Sequence, residues 1–322
     1  MTLRKNGPVL LVVAESPIVT TAPCLRFHDV ASADSTRLRA WTNDADGPRV
    51  LLCNGLGTNP QSWPALLTPD CGVNVVSWNH RGVGGSQRPP DGRVDLDAYV
   101  EDALAVMDDA GLASAVVASW SAGVTVAFEL AHRHPERVDG ILAVAGVPGD
   151  TFSTMLAPWH VPTVLSRPLM VSLARATTVL GHLEAPLVRR FPWTPTTTRL
   201  LQRTGAIGRD ADPAHVQAMV TEFCSTHPAW YARLALGVAE HGRVSLSGID
   251  VPTTFVAGRR DLLTSAASMR SAADRVTGSR FLQLDATHFI PLEHPDVVHE
   301  ELLALLDRVG SAEPCAPHGG GS

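Results

Sequence analysis

A serine hydroxyl becomes a nucleophile only where the backbone holds it clear of its neighbours, and the segment Ala118-Ser119-Trp120-Ser121-Ala122-Gly123 has the makings of such a place. It joins an apolar run, Ala115–Ser119, to a stretch of helical periodicity that ends at His134. A sharp strand-to-helix turn at Ser121 crowds the backbone two residues to either side, and Ser119 and Gly123 are small enough for it. The helix that follows would point unpaired N–H groups and its positive dipole end at any oxyanion formed there. An ordinary capped helix start is the plainer alternative, and Ser119 is a rival nucleophile, although it falls within the strand end. A second turn signal, Cys53-Asn54-Gly55-Leu56-Gly57, follows the apolar run Arg49–Cys53, and its glycines let the backbone turn tightly. A phosphate loop would use similar glycines, but Pro60 stands where the third glycine of a dinucleotide-binding loop would fall.

These turns need a frame. Continuous aliphatic and β-branched runs at Arg49–Cys53, Val73–Trp78, Ala115–Ser119, Gly140–Ala145, Thr253–Ala257 and Arg280–Leu284 predict strands buried on both faces. Between them, Asp95–Asp109, Ala122–His134, Ser265–Val276 and Asp296–Val309 keep helical spacing, with Pro295 just before the last. Such alternation predicts a mostly parallel sheet with helices on both faces. The rhythm breaks between Val147 and about Ser247, where no clean strand occurs and prolines and scarce aromatics, among them Phe223, Trp230 and Tyr231, gather. The expected division is a core of residues 1–147 and 246–310, a helical cap inserted as residues 148–245, and a flexible tail of residues 311–322. A cap at that place would cover the carboxyl edge of the sheet, where open α/β sheets bind ligands.

On these residues the chain resembles the α/β-hydrolase family, in particular its serine esterase and lipase-like members with a helical cap, over roughly residues 35–310. The family's elbow is usually Gly-x-Ser-x-Gly, with Ser119 here in the first glycine place. Cys53–Gly57 looks like the family's His-Gly-x-Gly loop, with Asn54 for the histidine. The resemblance implies that the N–H groups of Leu56 and Ala122 hold the oxyanion and that Gly55 borders the substrate pocket. Trp120, beside the nucleophile, is expected to wall that pocket, with plain core packing as the alternative. Asn79-His80-Arg81-Gly82-Val83-Gly84-Gly85-Ser86 is similar to the family's Asp-x-Arg-Gly-x-Gly-x-Ser, a loop-shaping motif that gives His80 and Arg81 no catalytic role. Asp261 falls where the family keeps its acid and His288 where it keeps its base, so Ser121, Asp261 and His288 follow the fold's chain order. Asp150 is a rival acid.

The resemblance implies a cofactor-independent serine hydrolase, without a metal, that cleaves a carboxylic ester with an apolar acyl or alcohol group. A thioesterase, lactonase, C–C bond hydrolase, acyltransferase or perhydrolase would use the same residues, and a non-catalytic small-ligand receptor is the alternative of another class. Epoxide hydrolases and dehalogenases of this fold place an aspartate where Ser121 stands. Composition narrows the partners. The chain of 322 residues has a formal net charge of −6, which offers no footprint for nucleic acid, and its apolar runs are too short for stable membrane insertion. Its 5 cysteines are scattered and odd in number, which predicts free thiols. Arg4-Lys5 before Val9–Ala14 loosely mimics a signal peptide, but the run is short and no small-residue cleavage site follows, so the expected location is cytoplasmic.

Overall fold

The computed structural model describes residues 25–155 and 161–312. Eight strands form one sheet in the order β1-β2-β4-β3-β5-β6-β7-β8. They are β1 (Arg26–Ala31), β2 (Arg37–Thr42), β3 (Arg49–Cys53), β4 (Asn74–Trp78), β5 (Ala115–Trp120), β6 (Val138–Val144), β7 (Thr253–Gly258) and β8 (Arg280–Leu284). From β4 to β8 every pairing is parallel, whereas β2 runs antiparallel to both β1 and β4. The six expected strands are all present. The sequence does not announce the first two, because β1 lies at the sheet edge with mostly exposed side chains and both strands carry arginine among their apolar residues.

The strand period of two sorts the central residues into two cores. Leu51, Cys53, Val117, Ile141 and Phe255 face α1 (Leu96–Asp109), α2 (Ala122–Arg133) and, beyond β7, α8 (Ala266–Ala273). Val50, Leu52, Val116, Ala118, Leu142 and Val256 face α10 (Pro295–Ala312) and the loop around Trp63 and Leu66. The last helix therefore starts on Pro295 and runs two residues into the stretch expected as tail, of which residues 313–322 lie outside the described residues.

Between β6 and β7 the described residues are helical: α3 (Thr151–Thr154), α4 (Thr163–Arg190), α5 (Pro195–Arg203), α6 (Pro213–Phe223) and α7 (Pro228–Ala239). Three of these helices begin on proline, at the position whose missing N–H costs nothing, after Thr194, Asp212 and His227 as caps. The chain leaves and rejoins the sheet side by side, since Gly149 and Arg243 form an antiparallel bridge and Val244 N donates to Pro148 O at 3.1 Å. A four-residue helix, α9 (Ile290–Glu293), precedes α10. Among the described residues no helix is long and apolar enough to cross a membrane, and Cys53, Cys71 and Cys224 are free thiols. Cys24, Cys315 and the Val9–Ala14 run lie outside the described residues.

Candidate active site

Ser121 sits between β5 and α2 with φ 56° and ψ −121°, a conformation that costs a non-glycine residue about 1–3 kcal/mol and persists only where the surroundings enforce it. Its N–H is held by Val144 O at 3.0 Å, and its carbonyl accepts from Val124 N at 3.1 Å. The turn is so tight that a Cβ on Gly123 would stand 1.9 Å from Cys53 O, which no other residue could tolerate. Ser119 is fully buried and donates its hydroxyl to Leu142 O at 2.7 Å, so it is committed to the sheet.

His288 and Asp261 arrive on the loops after β8 and β7. His288 Nε2 lies 2.8 Å from Ser121 Oγ, and His288 Nδ1 lies 2.9 Å from Asp261 Oδ2. The other carboxylate oxygen of Asp261 accepts from Leu263 N and Thr264 N, both at 2.8 Å. At 2% exposure, Asp261 has its orientation fixed by two backbone donors on one oxygen and the imidazole on the other. The rival acid, Asp150, is elsewhere: its carboxylate lies 3.5 Å from Arg167 and 3.7 Å from Arg243.

The loop after β3 lies against the serine. A Cβ on Gly55 would come within 3.4 Å of Ser121 Cβ. Asn54 ties this loop down: its Oδ1 accepts from Gly55 N and from Trp63 Nε1, each at 3.0 Å, and its Nδ2 donates to Asn59 O. Leu56 is half-buried and packs with Phe152, Ala235 and Ala239 of the helical segment. Ala122 opens α2, so its N–H has no intrahelical acceptor.

Trp120 requires a correction. It shares the strand face of Val116 and Ala118, is 1% exposed and is buried in the core under α10 rather than bordering an opening. Its indole N–H donates to His288 O at 2.9 Å, so it props the histidine loop from below.

The aromatics gathered in the inserted segment reach the site. Phe223 and Tyr231 meet edge-to-face at 4.9 Å between centroids and lie over Gly57, where a Cβ would stand 3.1 Å from the Tyr231 ring. Burial pushes the Tyr231 phenol up to about 12 and raises the Glu222 carboxyl above its ordinary range. Trp230 Nε1 donates to Arg81 O at 2.8 Å, and Asn59 Nδ2 donates to Met219 O at 3.3 Å. Glu293 is buried. It accepts from Thr287 N at 2.9 Å, from the Thr287 hydroxyl, and from Gly208 N at 3.0 Å. The helical segment is thus bonded to the loops that carry Leu56, Arg81 and His288. The density of aromatics between residues 223 and 231 was the available signal for the first group. Glu293 gave none, since its partner Gly208 is 85 residues away.

His80 and Arg81 lie beneath the site and do not reach it. Arg81 is fully buried, bonded to Asp102, Asp34 and Ser32, and His80 meets Tyr99 edge-to-face at 5.5 Å. Among the described residues, no group of three or more His, Cys, Asp or Glu side chains is arranged to hold a metal ion.

Residues 48–176 match the family model described as alpha/beta hydrolase fold. The chain is similar to 3-oxoadipate enol-lactonase 2 of Acinetobacter baylyi, with 24% identity over 89% of this chain and 99% of the other. It is also similar to the pimeloyl-[acyl-carrier protein] methyl ester esterase of Aromatoleum aromaticum, with 29% identity over 77% and 94%. Among solved structures, an enol-lactonase from Burkholderia xenovorans superposes with a TM-score of 0.65 at 22% identity, covering 87% of this chain and 100% of that one.

Proposed function

We propose that the chain, whose residues 48–176 match the alpha/beta hydrolase fold model, is a serine hydrolase that cleaves a carboxylic ester through an acyl-enzyme on Ser121. The observation that carries this reading is the unbroken relay from Ser121 Oγ through His288 to Asp261, at 2.8 Å and 2.9 Å. His288 Nε2 takes the Ser121 proton as Oγ bonds to the ester carbonyl carbon. The N–H groups of Leu56 and Ala122 receive the negative charge that builds on the carbonyl oxygen, each worth on the order of 10²–10³ in rate. Collapse breaks the bond to the alcohol, which leaves with the proton from His288. Water, deprotonated by the same nitrogen, then releases the acid and restores Ser121. Asp261 keeps the proton of His288 on Nδ1 and stabilises the imidazolium.

In this reading residues 148–245 are a cap on a core formed by residues 1–147 and 246–310. Leu56, Phe152, Phe223 and Tyr231 favour an apolar acyl or alcohol group. A lactone is the second reading, because the likeness to the Acinetobacter baylyi enol-lactonase extends over 99% of that protein. The test is Ser121→Ala, with p-nitrophenyl esters of graded acyl length, a thioester and a lactone as substrates. Turnover of every substrate should disappear while the circular dichroism spectrum is unchanged, and a variant that kept a tenth of wild-type turnover would overturn the assignment. Rapid labelling of Ser121 by a fluorophosphonate separates the enzyme from a ligand receptor.

A further inference from the structure

The polarity of α4 is inverted. Towards α7 and α3 it presents Ser166, Met170, Ala174, Thr177, Gly181 and Ala185, a row of mostly small side chains, all buried or half-buried. The backbones come so close that a Cβ on Gly181 would stand 2.6 Å from Ala229 N. The large aliphatic residues point away: Leu165, Leu169, Leu173, Leu180, Leu183 and Leu187 are each between 51% and 78% exposed. At helical spacing these six fall within an arc of about 80°. In water a helix normally buries its leucines, whereas small residues between helices and large apolar ones outside suit a helix whose outer neighbour is hydrocarbon.

Charge identifies that neighbour more closely. From Thr163 to Arg203 there are six arginines and one acidic residue, Glu184, in a chain whose net charge is −6. Arg189, Arg190, Arg199 and Arg203 are exposed and form no ion pair among the described residues. A two-fold contact of this face with itself would double that positive charge, with only Glu184 of each copy to offset it. Nor is any helix of the described residues long and apolar enough to cross a bilayer. We infer that the outward face of α4, with the arginines at the end of α4 and on α5, docks on an anionic lipid surface, the helix lying in the plane of the interface.

The experiment is co-sedimentation of the full-length protein with vesicles of phosphatidylcholine and phosphatidylglycerol in equal parts, and with vesicles of phosphatidylcholine alone. Binding to the anionic vesicles should weaken with added salt and be at least about tenfold weaker on the neutral ones. Leu183→Asp with Leu187→Asp should reduce it by about tenfold or more, since both side chains leave the apolar layer. Arg189→Glu with Arg190→Glu should reduce it by roughly thirtyfold, and all four substitutions, lying on exposed side chains, should leave the melting temperature unchanged. The inference fails if wild-type protein does not sediment with anionic vesicles, or if both double variants sediment as well as wild type. It also fails if sedimentation velocity finds a dimer that Leu183→Asp with Leu187→Asp dissociates, which would make a second copy the occupant. None of these readouts depends on the proposed ester chemistry.

Discussion

Replacing Asp261 by asparagine tests the proposed relay through a single atom. One oxygen of Asp261 accepts two backbone N–H groups at 2.8 Å, and the other accepts from His288 Nδ1 at 2.9 Å. An asparagine must choose. With its carbonyl oxygen on Leu263 N and Thr264 N, its NH2 faces Nδ1, which must then accept, so the imidazole proton moves to Nε2. That nitrogen can no longer take the Ser121 proton across their 2.8 Å contact. Turning the amide over restores the imidazole but sets NH2 against two buried donors, at about 1–3 kcal/mol each. The productive orientation is therefore disfavoured by roughly 2–6 kcal/mol, and at about 1.4 kcal/mol per decade the rate should fall by about 30-fold to 10⁴-fold. Asp261→Ala removes the acid without imposing a tautomer. It should be less stable than Asp261→Asn yet more active. The assay is kcat/KM on one p-nitrophenyl ester at neutral pH, with thermal melts of each variant. If Asp261→Asn kept a tenth of wild-type activity, or if Asp261→Ala were the less active of the two, the tautomer reasoning would be refuted.

Glu293→Gln leaves an amide NH2 facing either Thr287 N or the Gly208 side, and should lower stability in urea by about 1–3 kcal/mol and depress turnover with it, because Thr287 adjoins His288. Unchanged turnover at reduced stability would confine Glu293 to a structural role. Burial holds His80 down to about 4, below its ordinary 6.5, so as pH falls the unfolded chain binds that proton first and stability is lost between about pH 6.5 and 4. His80→Phe should therefore shrink the stability difference between pH 7 and pH 4.5 by about 2.5 kcal/mol in urea titrations, and an unaltered difference would count against neutral burial of this side chain. Arg81→Met strands the carboxylate of Asp102 in the core and should cost about 3–5 kcal/mol in the same assay, and Arg81→Met with Asp102→Leu should regain most of it.

The sequence was most legible where one residue's local geometry decides. The elbow around Ser121 could be read from small residues at 119 and 123, because the requirement for space is imposed by the turn itself. Central strands were legible because burial on both faces leaves an unbroken aliphatic run. β1 and β2 escaped the same test, since a strand with a wetted face carries arginine and aspartate. For Trp120 the core alternative holds over the pocket wall, and the alternation of Val116, Ala118 and Trp120 is the signal that assigns it to the far core. What could not be read was the set of bonds from the helical segment to the site loops. Trp230 to Arg81 spans 149 residues and Asn59 to Met219 spans 160, and no local pattern encodes a partner so distant.

The bridge between Gly149 and Arg243 has a further consequence. Two neighbouring antiparallel backbone points are the geometry that a two-residue hairpin turn closes. Everything between them can in principle be excised or exchanged for another sequence with compatible ends, leaving the order of the sheet intact. In the proposed reading, recombination at this one place would replace the cap while Ser121, Asp261 and His288, all encoded outside it, stayed together. A lineage could thus change what it hydrolyses by grafting, without having to rebuild how it does so.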